Sequence, residues 1–271
     1  MTGWYDERTM NKKTIKEFLD IKVDEYNQPF FIKDDPISIP HRFTKKQDIE
    51  IAGFFAATFA WGNRRSIINS CTALMSLMDN SPYQFIMNHE EKDLVPFMAF
   101  VHRTFNATDL FHFISFFKYH YTYPGSQSLE TAFSLWMKPG DTTMENALNG
   151  FHHYFFSKQI ADEYPKRTMK HIAAPFKRSA CKRLNMFLRW MVRKDDKAVD
   201  FGIWHNISPA QLICPVDLHV ARVAKRLNII QRKQVDWQSA IELTDYLRTL
   251  DKEDPVKYDF ALFNLGIIEK F

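Results

Sequence analysis

The sequence predicts an all-α fold, and three observations lead there. Apolar residues recur at the three-and-four spacing of a single helix face in segment after segment. Alternating runs enriched in Val, Ile and Thr, the mark of strands, are scarce. Only 8 glycines occur in 271 residues, and short breaks bearing proline or glycine part the helical segments. Taken in order, a first helix over residues 11–26 ends before the proline-rich stretch IKDDPISIPHRF. A second covers 46–60, and Gly62 parts it from a third over 65–79. Helices over 109–119 and 129–137 run up to the turn compositions YPGSQS and KPGDTT. The next, over 182–193, has Leu184, Phe187, Leu188, Met191 and Val192 on one apolar face and Ser179 as its N-cap candidate. Pro215 and Asp217 open a helix over 218–227 whose apolar side is Val220, Val223, Ala224 and Leu227. A helix over 237–250 stops at DKEDP, and one over 256–265 closes the series.

Composition narrows the function classes. Hydrophobic residues make up 45% and aromatics 15%, enough for a sizeable core. No run reaches the roughly 18 to 20 uncharged apolar residues of a membrane span, and the start, MTGWYDERTMNKKTIKEFLD, lacks the basic-then-apolar order of a signal peptide. The expectation is a cytoplasmic protein without a membrane partner. Cys71, Cys181 and Cys214 are too scattered for a disulfide framework or a C-x-x-C site. His152 and His153 are adjacent, and neighbours on a helix point apart instead of sharing a metal. Neither a metal nor another cofactor is expected.

Charge is unevenly distributed. Between Lys166 and Lys233 stand 16 Lys and Arg against four acids, Asp195, Asp196, Asp200 and Asp217, while the rest of the chain carries 20 Lys and Arg against 28 acids. Such asymmetry reads as a polyanion-binding surface or as the solvated face of a helical subdomain. Without a repeat or a sharp composition shift, the organisation is read as one compact unit over 1–271. It would have two helical lobes with a cleft between them: a basic lobe over 166–233 and a second from the N- and C-terminal helices.

Two stretches carry candidate chemistry. In PFKRSACKRLNMFLRWMVRK, residues 175–194, Lys182 falls in the first turn of its helix, where the positive helix end opposes an ammonium and suits a nucleophilic amine. The same position also suits a phosphate contact or an exposed lysine. In LICPVDLHVARVAKRLNII, residues 212–230, Asp217 is either a plain N-cap or an anion that stabilises positive charge developing on a sugar. Met186 and Phe263 are pocket candidates with Asp259, or else serve as core packing and, for Asp259, a helix cap or salt bridge. WGNRR, residues 61–65, sets Trp61 and Asn63 between two helices as pocket-lining candidates or as an ordinary loop. Ser179, Arg183, His219 and Arg222 are the DNA-contact candidates. His41 with Arg42, and His102 with Arg103, form H-R pairs with no assigned role.

PVDLHVARVAKRL resembles the segment of endonuclease III-type, helix-hairpin-helix DNA glycosylases that carries the catalytic aspartate, and Asp217 matches that position. SACKR places Lys182 where the lysine of bifunctional members stands. The closer resemblance is to the archaeal 8-oxoguanine DNA glycosylase branch. That branch has a similarly long lysine-to-aspartate separation, and a C-terminal helix with an aspartate followed four residues later by an aromatic, as in Asp259 and Phe263 of PVKYDFALFNLG. The glycosylase likeness covers residues 175–270, and nearly the whole chain is also similar to a bacterial family of unknown function. The G-x-G turn of the superfamily is replaced here by AAPFKRSAC, and the four-cysteine cluster of endonuclease III is missing. The resemblance implies base excision repair: a hydrolase acting on duplex DNA with a damaged base such as an oxidised purine, Met186 and Phe263 sandwiching the extruded base with Asp259 at its edge, and abasic-site lyase activity if Lys182 forms a Schiff base. Two other readings stand beside it, a non-catalytic nucleic-acid-binding protein on the same fold and a helical protein-interaction subunit.

Overall fold

The computed structural model describes residues 11–161 and 163–271. The expectation about a leader is read from residues 1–20, of which the first ten lie outside the described residues. The described residues are mostly helical, nearly all-α, and none of their helices is long and apolar enough to cross a membrane. They fall into two compact units: residues up to 31 with Thr142–Met144 and Ala174–Phe271 form the first, and Ile32–Asp141 with Glu145–Ala173 the second.

In chain order, α1 (Lys12–Tyr26) starts where the Asn11 side chain accepts from the Thr14 amide at 3.0 Å, and buries Ile15, Leu19, Val23 and Tyr26 as one stripe. The second unit holds α2 (Lys46–Phe59), α3 (Arg64–Leu77), α4 (Pro82–Asn88), α5 (Ala107–Thr122), α6 (Thr131–Ser134) and α7 (Glu145–Phe155). The first unit resumes with α8 (Lys182–Val192), α9 (Leu218–Arg226), α10 (Trp237–Arg248) and α11 (Asp259–Ile267). A two-residue-per-strand hairpin, β1 (Val101–His102) with β2 (Phe105–Asn106), pairs antiparallel in the second unit.

Several expectations are corrected. The periodicity read over 129–137 closes as the four-residue α6, because the next amides, Trp136 and Met137, take the tighter three-residue bonds to Phe133 and Ser134. The segment 256–265 begins as a 3₁₀ turn, Pro255–Tyr258, and becomes α-helical only at Asp259. α4, α7 and the hairpin were not anticipated, although α7 buries Ala147, Leu148, Phe151, His152 and Phe155 at helical spacing. The basic segment 166–233 is divided between the units, and its larger part shares the first unit with both terminal helices. Long-range contacts account for that: the Asn27 side chain donates to Asp195 at 2.6 Å, Arg189 pairs with Asp259, and Lys22 and the Tyr26 hydroxyl both donate to Glu269 at 2.6 Å.

The second unit is built around α2, which is buried on every side from Ile49 to Phe59. Phe54 meets Phe117 and Phe151 edge-to-face at 5.6 and 5.7 Å, an arrangement that aromatic quadrupoles favour. Glu50 lies fully buried in this apolar helix, and it is anchored by the Tyr121 hydroxyl at 2.9 Å, the Leu129 amide at 3.0 Å and the Ser128 hydroxyl. Glu50→Gln turns one acceptor into a donor facing donors, so it should lower unfolding free energy by about 1–3 kcal/mol. A urea midpoint equal to wild type would refute this.

Burial also lowers the pKa of His102, His112 and His120 in this unit. Because the unfolded chain then takes up protons that the folded one refuses, the stability they contribute is complete above about pH 6.5 and is lost as pH falls below it. Thermal unfolding followed from pH 8 to pH 5 should show wild type falling more steeply than the His112→Gln, His120→Gln double variant. Parallel curves would exclude the effect.

Candidate active site

The site is assembled from the N-terminal ends of α8 and α9 with the flank of α11, all in the first unit. The chain enters α8 through a tight hairpin: a 3₁₀ turn over Pro175–Lys177, then Arg178 and Cys181, both in the left-handed region at φ 58° and 51°. Two non-glycine residues thus make the turns at which glycine is cheapest, at a cost of order 1 kcal/mol or more each. The Asn185 side chain donates to the Ala180 carbonyl at 3.1 Å and closes the hairpin from within α8. Ser179 is not the N-cap. Cys181 holds that position, and the Ser179 hydroxyl accepts instead from the Cys181 amide at 3.2 Å, because the left-handed turn carries Ser179 past the helix end.

This geometry makes Lys182 the first residue of α8. Its Nζ lies 3.7 Å from an Asp217 carboxylate oxygen, with both side chains about a quarter exposed. Asp217 is the N-cap of α9: its other oxygen accepts from the His219 and Val220 amides at 2.8 and 3.0 Å, so the carboxylate is held in place by the helix it starts. The Phe263 ring, on α11, lies under the Lys182 ammonium at 5.6 Å. α9 and α11 cross closely, since a Cβ at Gly266 would stand 3.1 Å from the His219 Cβ and carbonyl oxygen. That crossing sets Phe263 opposite the α9 cap.

The amphipathic face expected for 182–193 is only part of the truth. From Leu184 to Val192, α8 is buried on all sides, arginine included. Arg189 pairs with Asp259 and, at 3.3 Å, with Asp200, while Arg193 pairs with Asp195, with Asp200 at 3.3 Å and with Asp254 at 2.8 Å. Asp259 is therefore committed to Arg189, the salt-bridge alternative for that residue. Its burial raises the carboxyl to about 6, outweighing the opposing fields of Arg189 and Lys182. Met186 is buried on α8 one turn beyond Lys182. Burial pushes the Cys181 thiol up to about 12, which leaves it a poor competitor to the neighbouring amine as a nucleophile.

The DNA-contact candidates separate. Arg222 is turned to the end of α11, donating to Gly266 and Phe271 carbonyls at 2.6 and 3.2 Å, and is a helix C-cap more than a phosphate hand. Arg183 is half-buried, and desolvation lowers its guanidinium to about 10. His219 is exposed beside Asp217. The exposed tip of the hairpin is Phe176, Lys177 and Arg178, which sequence reading passed over. Arg189 and Asn185 were also passed over, since nothing in their local spacing links Arg189 to Asp259, 70 residues on.

Trp61 and Asn63 belong to the second unit. Asn63 caps α3, accepting from the Ser66 amide at 3.3 Å. The Trp61 ring carries the Arg103 guanidinium 5.4 Å above it and lies 6.1 Å from the His171 ring. Among the described residues no group of three or more His, Cys, Asp and Glu is placed to hold a metal ion.

No curated protein and no solved structure matches the chain. One family does, described as proteins of unknown function, DUF2400, and its match runs from residue 35 to residue 268. That span takes in most of both units and every side chain of the Lys182 site, so the chain belongs to the DUF2400 family.

Proposed function

We propose that this protein is a helix-hairpin-helix-type DNA glycosylase of base excision repair, with Lys182 as nucleophile and Asp217 as the carboxylate that manages its proton. The observation that carries the reading is the 3.7 Å approach of Lys182 Nζ to an Asp217 oxygen, with the two residues at the start of separate helices 35 residues apart. In the step this supports, Asp217 takes a proton from the Lys182 amine as its lone pair attacks C1′ of the target nucleotide. The glycosidic bond breaks, its electron pair leaves with the base, and the base receives a proton in return. Opening of the sugar then gives a Schiff base on Nζ, which permits strand cleavage by β-elimination. Phe263 beneath the amine offers a ring face to an extruded base. The fixed Asp217 carboxylate stabilises positive charge on the sugar without reorganising.

The hairpin tip, with Lys177 and Arg178 exposed, replaces Arg183 and Arg222 as the phosphate-facing element of this reading. A second reading, a non-catalytic nucleic-acid-binding protein, draws support from the absence of the G-x-G turn. Incubating the protein with duplexes carrying 8-oxoguanine, uracil, hypoxanthine, an oxidised pyrimidine or an abasic site, with and without borohydride, decides between them. Base release and a covalent adduct are expected. Binding without either leaves the second reading.

A further inference from the structure

We infer that the second unit carries its own nucleic-acid backbone contact, made by Arg103 and Arg65 at the junction of the β-hairpin with the start of α3. The inference rests on the reading of nucleic acid as partner, but on none of the residues of the Lys182 site.

The hairpin is fastened on both sides. The buried ring of His102 bonds through Nδ1 to the Ser70 hydroxyl of α3 at 2.9 Å, and through Nε2 to the Phe59 carbonyl at the end of α2 at 3.1 Å. Arg167 reaches the Thr104 carbonyl at 2.9 Å, the Asn106 side chain and the Asp109 carboxylate at 3.2 Å. Arg167 is thus spent on holding the turn and is a positioning residue. Arg103 sits at the turn itself with φ 54°, a conformation glycine or asparagine would adopt at lower cost. Its guanidinium lies over the Trp61 ring, and a Cβ at Gly62 would stand 2.5 Å from one of its nitrogens.

The cation–π contact with Trp61 and the packing of one nitrogen against Gly62 restrain the guanidinium at the surface, and its remaining N–H groups can serve phosphate oxygens. Among the described residues neither Arg103 nor Arg65 has a carboxylate within 4.0 Å. Both are exposed, as are Lys166 and Lys170 on the segment that carries Arg167. Arg65 is three residues beyond Gly62, so its backbone is no more than about 11 Å from it. The polyanion that offers closely spaced acceptor oxygens to such a pair is the phosphate backbone of DNA, with one charge per ~1.7 Å of duplex axis. Arg167 and His102 already secure the hairpin, so the charge of Arg103 is not needed to hold the turn.

The test is the salt dependence of binding to a short duplex for wild type, Arg65→Ala, Arg103→Gly and the double variant. Glycine suits the positive φ, so Arg103→Gly removes the charge without straining the turn, and equal thermal unfolding checks the fold. Each single variant should reduce the slope of log K against log salt by about 0.9, and the double variant by about 1.8. A double variant with the wild-type slope overturns the inference. If wild type binds with these arginines contributing but neither excises nor traps, the glycosylase reading falls and this one stands. If wild type shows no affinity for duplex DNA at all, both fall.

Discussion

Lys182→Gln is expected to abolish borohydride trapping and to slow base release by about 10⁴-fold or more, the scale on which removing a covalent nucleophile is felt. Binding should barely change, because the substitution takes away one cation among many. The glutamine is one atom shorter than lysine but stays polar at the partly exposed first position of α8, so unfolding should be close to that of wild type. Asp217→Asn tests the partner. The amide oxygen can still accept from the His219 and Val220 amides, so the cap survives, while the negative charge 3.7 Å from Lys182 Nζ is gone. Turnover should collapse with the fold intact. Were Lys182→Gln to excise at the wild-type rate, the lysine would be a phosphate contact, and a water-based mechanism centred on Asp217 would replace the Schiff base.

Arg189→Ala is expected to cost the most stability of any single substitution we name, about 3–5 kcal/mol, because it leaves Asp259 buried without its paired cation and Asp200 with Arg193 alone. It also strips the guanidinium that lies 4.2 Å over the Phe260 ring. The loss should show as a lower urea midpoint with an unchanged slope. It should also depend on pH in a definite direction. Asp259, already raised to about 6 in the folded protein, would go higher without Arg189, so protonation would relieve the stranded charge. The deficit should therefore be smaller at pH 5 than at pH 7.5. A loss under 1 kcal/mol at neutral pH would show that the network is dispensable. Pairing Arg189→Ala with Asp259→Asn separates the parts, since a coupled pair gives less than the sum of its single losses.

Where reading the chain succeeded, the interaction lay within a few residues. The Asp217 cap needs only the amides two and three positions on, and the stripe of α9 recurs at three and four. The start of α3 was misplaced by one residue because Asn63, read as a pocket residue, is itself the cap. The same locality explains what failed. The spacing of Leu184, Phe187, Leu188, Met191 and Val192 makes α8 amphipathic on sequence grounds, and only the arrival of Asp200, Asp254 and Asp259 from distant segments allows Arg189 and Arg193 to be buried. The 16 cations against four acids between 166 and 233 predict a charged surface, yet Arg189 and Arg193 are internal and Arg222 caps a helix. A count of charges records no desolvation.

The sequence by itself determined the nearly all-α class, most helix positions and the identity of the Lys182 and Asp217 pair, because periodicity, caps and the helix dipole act over one or two turns. Tertiary structure alone decided that these two side chains meet, that Asp259 answers to Arg189, and that Arg103 lies over Trp61. Those outcomes depend on which chain segments close over one another and which charges lose their water, and both are set by the packing of the units as wholes.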